Sequence, residues 1–157
     1  MPSRRLETPA FAPRPMTSAV RMRGQRLNQA ERVRLILEIV AAYARARRAL
    51  GAAPIASVVA GLRSEHPASP AEPADALEEA RRLARAVMRT LALLPGDTRC
   101  LIRSLVLTQL LARRGISAKL VIGARTAPEF LGHAWVEHSG EAILAPGDGS
   151  FGRLVEL

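Results

Sequence analysis

Residues 97–123 read DTRCLIRSLVLTQLLARRGISAKLVIG, and the pattern of apolar residues changes along this stretch. The first part is apolar at nearly every position, which is typical of a helix buried on most sides. Asp97 or Thr98 can cap that helix, and Gly115 ends it. Residues 118–123 then favour a short strand. The stretch therefore predicts a central helix that leads directly into a sheet.

Two amphipathic helices are predicted before this stretch, at residues 28–49 and 74–93. Both repeat apolar side chains at helical spacing. Asn28 is a suitable N-cap for the first helix. The second places acidic residues early and arginines later, as the helix dipole favours. A shorter helix fits residues 55–63.

The residues that follow the central helix alternate between polar and apolar, as half-buried strands do. We expect strands at residues 133–138 and 141–144, joined by a tight turn at Ser139-Gly140, and an edge strand at residues 151–157. Helices come first and an antiparallel sheet follows. The predicted fold class is therefore α+β.

By composition, the chain divides into three parts. Residues 1–25 combine four prolines with arginines and are expected to form a mobile basic tail. Residues 26–70 are predicted to form a helical N-terminal region, and three prolines in residues 66–73 mark a linker behind its helices. Residues 71–157 contain every predicted strand together with the central helix. We therefore expect the main core in that last part.

The chain carries a formal net charge of +9, and most of the excess lies in residues 1–50, with 11 arginines against three acids. A basic arm of this kind can bind nucleic acid or an acidic partner. Lys119 is, however, the only lysine, and abundant arginine and alanine are equally typical of a GC-rich coding sequence. We therefore expect no nucleic-acid partner.

The single cysteine, Cys100, excludes a disulfide within the chain and suits the reducing cytoplasm, which is the predicted location. The sequence contains no run of about 18 uncharged apolar residues, so no membrane span is predicted. With one cysteine and no pair of histidines at helical spacing, we predict neither a metal site nor another cofactor.

Cys100 lies in the first turn of the central helix, just after the helix-breaking Pro95-Gly96. Unpaired N–H groups and the positive end of the helix dipole stabilise a thiolate at such a position. The same N–H groups can bind the oxyanion of a tetrahedral intermediate. Position alone leaves two interpretations open, a nucleophile or a buried apolar side chain.

His133 opens a strand with the sequence HAWVE. Strand alternation puts His133, Trp135 and Glu137 on one face, so the only tryptophan lies beside the histidine and can shield it from water. A histidine within reach of a cysteine can act as its general base. A strand histidine taken alone is more often structural, so the hypothesis depends on the pair with Cys100.

A third residue would orient the imidazole, as in catalytic triads. Asp148 lies in the sequence PGDG after the third predicted strand, and we predict it in this role. Gly-Asp-Gly is also ordinary turn chemistry. Glu137 is the competing acid because it shares the face of His133. An amide side chain or a backbone group is the remaining alternative.

Four segments of the chain resemble one family in order and spacing. They are CLIRSL at 100–105, LLARRGI at 110–116, LVIG at 120–123 and GHAWVE at 132–137. Together they resemble the leader peptidases of lasso peptide biosynthesis, which have a transglutaminase-like core related to papain. The resemblance covers roughly residues 75–157 and implies that residues 71–157 form a catalytic core.

The resemblance implies a cysteine peptidase with Cys100 as nucleophile and His133 as general base. In the family pattern, the acid follows the histidine at a spacing that corresponds to Ala145 here, three positions before Asp148. The implied reaction removes the leader from a ribosomally made precursor peptide. A separate asparagine-synthetase-like cyclase then joins the freed amine to an acidic side chain.

Some members of that family carry a fused leader-recognition domain with a small sheet. Residues 1–70 show no three-strand pattern, so the resemblance implies a split form that needs a separate leader-recognition protein. The basic helix at residues 28–49 is a candidate docking surface for that protein or for an acidic leader. Two other functions stay open: a transglutaminase-like acyltransferase, or a non-catalytic peptide-binding module in which Cys100 is structural.

Overall fold

The computed structural model describes residues 28–64, 75–96, 98–145, 147 and 150–157. Within these ranges, four helices precede a four-stranded antiparallel sheet, which confirms the predicted α+β class. The elements are α1 (Gln29–Ala52), α2 (Ile55–Ser64), α3 (Ala76–Leu91), α4 (Cys100–Arg113), β1 (Lys119–Arg125), β2 (Leu131–His138), β3 (Glu141–Ala142) and β4 (Gly152–Glu156).

The predicted cap of α1 is confirmed. The Asn28 side chain accepts a hydrogen bond from the Glu31 N–H at 2.8 Å, and the Glu31 carboxylate accepts one from the Asn28 N–H at 2.8 Å. This reciprocal pair satisfies two donors that the start of a helix leaves free. The helix runs to Ala52, beyond its predicted end, and stops where Pro54 forces an extended backbone on Ala53.

The helix α4 is the centre of the molecule, as its apolar sequence predicts. It packs against α1, α2 and α3 and against strands β1 and β2. Its fully buried side chains include Leu105, Leu107, Leu110 and Leu111. At about 25 cal/mol per Å² of buried apolar surface, this row of leucines is a principal source of stability.

The prediction of Thr98 as the cap of α4 is wrong, and Asp97 lies outside the described residues. The helix begins at Cys100 with Arg99 in the capping position, and Arg99 makes no side-chain cap. The first N–H groups of α4 therefore receive no capping oxygen from that residue. Arginine carries only donors, so it cannot supply one.

The strands lie in the order β3-β2-β1-β4. The hairpin between β2 and β3 turns at Ser139 and Gly140, whose φ angles of 50° and 83° confirm the predicted tight turn. The strand β3 is shorter than predicted, because the N–H groups of Ile143 and Leu144 both donate to the carbonyl of Val136 and end the ladder. Within the described residues, this edge of β2 therefore has no strand partner before Val136.

The helices α1 and α2 contribute to the same apolar core as α3 and α4, through side chains such as Ile39, Ala42, Val58 and Val59. The predicted tail at residues 1–25 and the predicted linker at 66–73 lie outside the described residues. The division at residue 71 stays a prediction. No helix in the described ranges combines the length and apolarity that crossing a membrane requires.

Candidate active site

Cys100 is the first residue of α4, and its half-buried side chain packs against the apolar core. The preceding residues turn the chain sharply, with Gly96 at a φ of 113°. This value lies in the region that favours glycine, so the chain can enter the helix abruptly. The thiol consequently lies at the positive end of the central helix.

A buried hydrogen bond joins α4 to the strand that carries His133. The hydroxyl of Ser104, one helical turn after Cys100, donates to the carbonyl of Ala134 at 3.1 Å. The Ala134 carbonyl lies on the edge of β2 away from β1, since the Val136 carbonyl two residues on faces that edge and bonds to Ile143. The start of α4 is thereby held beside the part of β2 next to His133.

His133 lies on the face of the sheet that does not pack on α4. Ala134 and Val136 belong to the apolar core, whereas the imidazole stacks on Trp135, with ring centroids 6.0 Å apart and 20° between the planes. The ring of Phe151 also contacts the imidazole, with ring centroids 5.0 Å apart and 34° between the planes. The predicted sharing of a face by His133 and Trp135 is confirmed. Two aromatic rings therefore restrict the imidazole.

The Nε2 atom of His133 lies 3.1 Å from the carbonyl oxygen of Ala145. A carbonyl oxygen only accepts hydrogen bonds, so Nε2 carries the hydrogen and donates it. In a neutral imidazole, Nδ1 is then the nitrogen with a free lone pair. The hydrogen bond to Ala145 thus leaves Nδ1 as the nitrogen that can accept a proton. Among the described residues, the partner of Nε2 is this backbone carbonyl, and the role predicted for Asp148 stays a prediction.

Of the two acids predicted to orient the imidazole, only Glu137 lies within the described residues. Asp148 lies outside the described residues. Glu137 is buried, and its Oε1 atom accepts hydrogen bonds from Trp135 Nε1 at 2.8 Å and from Arg153 at 2.7 Å. In the described part of the chain, Glu137 therefore holds the indole and makes no hydrogen bond to His133.

The tight packing of Trp135 depends on Gly123, which lies opposite His133 on β1. A Cβ atom at Gly123 would lie 2.9 Å from the indole carbons and 2.7 Å from the Gly152 carbonyl oxygen. Real Cβ atoms do not approach so closely, so only glycine fits. Sequence analysis missed Gly123 and Phe151. A glycine inside a strand was the available signal for the first.

Charged side chains continue this face away from His133. Hydrogen bonds from Arg153 and from Lys119 hold the pKa of Glu156 below its usual value. In return, the hydrogen bond to Glu156 and the charge of Glu137 raise the pKa of Arg153. The four side chains form a network along β1, β2 and β4. Glu137 lies four residues after His133 on β2, whereas Arg153 pairs with Gly123, the residue opposite His133.

The described residues contain no group of three or more His, Cys, Asp and Glu side chains placed to hold a metal ion. The groups that Cys100, His133 and the start of α4 offer for chemistry are a thiol, an imidazole and backbone N–H donors. Such a set suits acyl transfer through a thioester.

A cysteine at the start of a buried helix, followed along the chain by a strand histidine in an α+β fold, is the layout of papain-like and transglutaminase-like proteins. A family model described as the transglutaminase-like superfamily matches residues 43–155. The chain therefore belongs to the transglutaminase-like superfamily, which includes cysteine peptidases and acyltransferases. Comparisons with curated proteins and with solved structures gave no significant match.

Proposed function

We propose that the protein is a cysteine peptidase that removes the leader from a ribosomally made lasso peptide precursor. Cys100 is the nucleophile and His133 the general base. The observation that supports this most is the hydrogen bond from His133 Nε2 to the Ala145 carbonyl, because it leaves Nδ1 as the base nitrogen. Superfamily membership and the four sequence segments that resemble the leader peptidases add to it.

The reaction proceeds by acyl transfer to sulfur. His133 Nδ1 takes the Cys100 proton, and the thiolate attacks the carbonyl carbon at the end of the leader. N–H groups in the first turn of α4 donate to the oxyanion. The intermediate then collapses as its C–N bond breaks, and His133 gives its proton to the leaving amine. Water, deprotonated by His133, hydrolyses the thioester and releases the leader acid.

The proposal includes two further partners. A separate leader-recognition protein delivers the precursor, and an asparagine-synthetase-like cyclase uses the freed amine. The exposed arginines of α1 are a docking surface for the first partner. Genes for a short precursor peptide, a small recognition protein and such a cyclase next to this one would support the assignment.

The test is a cleavage assay with the purified protein, the precursor peptide and the recognition protein from the same gene cluster. Mass spectrometry should show the leader as a free acid and the core with a free amine. Cys100→Ala should abolish the cleavage while circular dichroism stays that of the wild type. Cleavage that persists in Cys100→Ala would overturn the proposal and indicate a non-catalytic role for this chain.

The same assay separates hydrolysis from transfer to an amine. Hydroxylamine or glycine amide is added in millimolar excess, and the mass of the leader is measured again. A leader that remains the free acid supports the peptidase. A leader that carries the added amine in preference to water would instead assign the transglutaminase-like acyltransferase.

A further inference from the structure

The helix α1 is apolar on two opposite sides. Its inner side packs into the core through Ile39, Ala42 and Ala46. A second set of apolar side chains, spaced by four, three and four residues, follows the outer side of the helix: Val33, Leu37, Val40 and Ala44. At about 100° per residue, these four lie within one narrow arc on the side opposite to the inner set. We call this outer row the α1 seam.

The α1 seam is exposed to solvent in its first half. Val33 is 52% exposed and Leu37 is 63% exposed, and the neighbouring Ile36 is 47% exposed. Single exposed apolar side chains are ordinary, whereas a contiguous row is typical of an interaction site. The four-three-four spacing is also the pattern by which one helix packs along another. The α1 seam therefore has the form of a surface that receives a helix.

Two arginines border the α1 seam on one side. Arg34 lies about 60° from Leu37 around the helix, and Arg48 lies about 40° from Ala44 in the same direction. Both are exposed, and neither makes a hydrogen bond or an ion pair with another described residue. They lie two heptads apart, so they occupy equivalent positions beside the seam. Charged side chains in such positions select the partner helix by its charge.

A groove of about 320 Å³ continues this basic side of α1 towards α3 and α4. Besides Leu35, it is lined by four arginines and two glutamates: Arg34, Arg82, Arg113, Arg114, Glu31 and Glu38. Both carboxylates are already engaged, Glu31 by the N–H of Asn28 and Glu38 by Arg114. Even when Glu79, which pairs with two of these arginines, is added, the arginines outnumber the carboxylates. The groove is therefore positively charged.

From these observations we propose that the α1 seam and the groove beside it bind an acidic amphipathic helix of a partner protein. The apolar side of that helix covers Val33 and Leu37, and its carboxylates pair with Arg34, Arg48 and the arginines of the groove.

Charge argues against two other occupants of the α1 seam. A second copy of this chain would bring the same arginines to the surface. Residues 1–27 carry six arginines against one glutamate, so they have the sign of the flanking arginines. An acidic helix is the complementary partner. The inference goes beyond the chemistry at Cys100, and it rests on the proposed function only in taking the leader-recognition protein as that partner.

A designed peptide tests the surface without the natural partner. The acidic probe is a fluorescent three-heptad helix with Leu at the two seam positions of each heptad and Glu at the two flanking positions. Its basic twin has Lys in place of Glu. In fluorescence anisotropy titrations with the full chain, the acidic probe should bind at least about tenfold more tightly, because its charges complement the arginines. This preference should decrease as salt is raised.

Equal binding of the two probes to the wild type would overturn the inference. Absence of binding of the acidic probe would overturn it as well.

Variants then locate the binding on α1. Leu37→Gln should weaken binding of the acidic probe about tenfold, because less apolar surface is buried in the complex. Leu93→Gln is the matched control, since Leu93 is 85% exposed just after α3 and loses the same side chain. An equal loss of affinity in Leu93→Gln would overturn the inference.

A second pair of variants tests the charge. Arg34→Gln should lower the preference for the acidic probe about threefold, as expected for one exposed ion pair. Arg153→Gln loses the same charge from a half-exposed arginine on the sheet, where it pairs with Glu137, and should leave the preference unchanged. An equal decrease in both variants would contradict a role for Arg34.

Two further measurements separate the other occupants. Sedimentation velocity shows whether the chain associates with itself, and co-sedimentation with phosphatidylserine vesicles shows whether it binds an anionic membrane. A monomer that does not sediment with the vesicles supports the proposal. A dimer or a vesicle complex that Leu37→Gln dissociates would assign the α1 seam to that occupant and overturn the proposal.

The precursor assay connects the surface with the proposed function. Leu37→Gln should raise about tenfold the concentration of recognition protein needed for half-maximal cleavage, and it should leave the maximal rate unchanged. An unchanged concentration would contradict the assignment of that protein to the α1 seam. Absence of all cleavage in the wild type contradicts the proposed function, whereas probe binding still decides what the α1 seam binds.

Discussion

The imidazole of His133 has a fixed neighbour on each side. The Ala145 carbonyl oxygen accepts a hydrogen bond from Nε2 at 3.1 Å, and the rings of Trp135 and Phe151 both contact the imidazole. Trp135 is held in turn by the carboxylate of Glu137. We therefore propose that Glu137 positions His133 through the indole.

Replacement of Glu137 by Ala should lower both stability and turnover. The buried Trp135 Nε1 donor loses its acceptor, which costs about 1–3 kcal/mol of unfolding free energy. Glu137→Gln keeps an acceptor oxygen and should recover most of the turnover. Urea denaturation and the initial rate of cleavage measure the two effects.

Glu141→Ala is the control for that change, because Glu141 pairs with Arg81 at the exposed surface. Exposed pairs contribute at most about 1 kcal/mol, so this variant should cleave at the normal rate. Equal losses in Glu137→Ala and Glu141→Ala would contradict the positioning role.

At the scale of elements, α4 joins the helical layer to the sheet. Ser104 and Thr108 lie one turn apart on this helix, and both are buried. Ser104 bonds to the Ala134 carbonyl, whereas the Thr108 hydroxyl has no hydrogen-bond partner among the described residues. Removal of the two hydroxyls should therefore change the stability of the protein differently.

Ser104→Ala should destabilise the protein by about 1–2 kcal/mol and slow the cleavage, because the helix start is no longer tied to β2. Thr108→Val removes an unpaired hydroxyl at nearly constant volume and should be neutral or stabilising. Thermal unfolding with parallel rate measurements distinguishes the variants. A loss of stability in Thr108→Val as large as in Ser104→Ala would contradict this account of α4.

At the scale of the whole molecule, the network of Lys119, Glu137, Arg153 and Glu156 ties β1, β2 and β4 together. The pKa of Glu156 is lowered in the folded protein by its hydrogen bonds to Arg153 and Lys119. A carboxylate with a lowered pKa contributes stability above its unfolded value, and this contribution is lost as the pH falls through the folded value.

The contribution of Glu156 should therefore be present at pH 6 and lost as the pH falls below the ordinary value of 4.5. Because the group is exposed, the effect is small. Wild type and Glu156→Gln are compared by urea denaturation at pH 6 and at pH 3. The difference in unfolding free energy should be smaller at pH 3 than at pH 6, and a difference that grows towards low pH would contradict the sign.

Sequence pattern predicts the elements of this fold well, because each helix and strand has its own periodicity. The four helices, the Ser139-Gly140 turn and the edge position of β4 all follow from local spacing. The candidate site follows only in part from local sequence. Placement of Cys100 at a helix start is predictable, whereas the Ala145 carbonyl depends on how the segment after β3 folds back along β2.

The same limit applies to the contacts of the aromatic residues. Strand alternation predicts that Trp135 and Glu137 share a face, but it does not show that Glu137 bonds to the indole. Long-range packing, rather than residue type, determines these features.

The central claim is that His133 is the base for Cys100, and the alkylation rate of the single cysteine tests it most directly. At pH 7, iodoacetamide should modify wild-type Cys100 at least about tenfold faster than it modifies the thiol in His133→Ala, because the base increases the thiolate fraction. Circular dichroism confirms that the variant is folded. Equal rates in the two proteins would contradict the account.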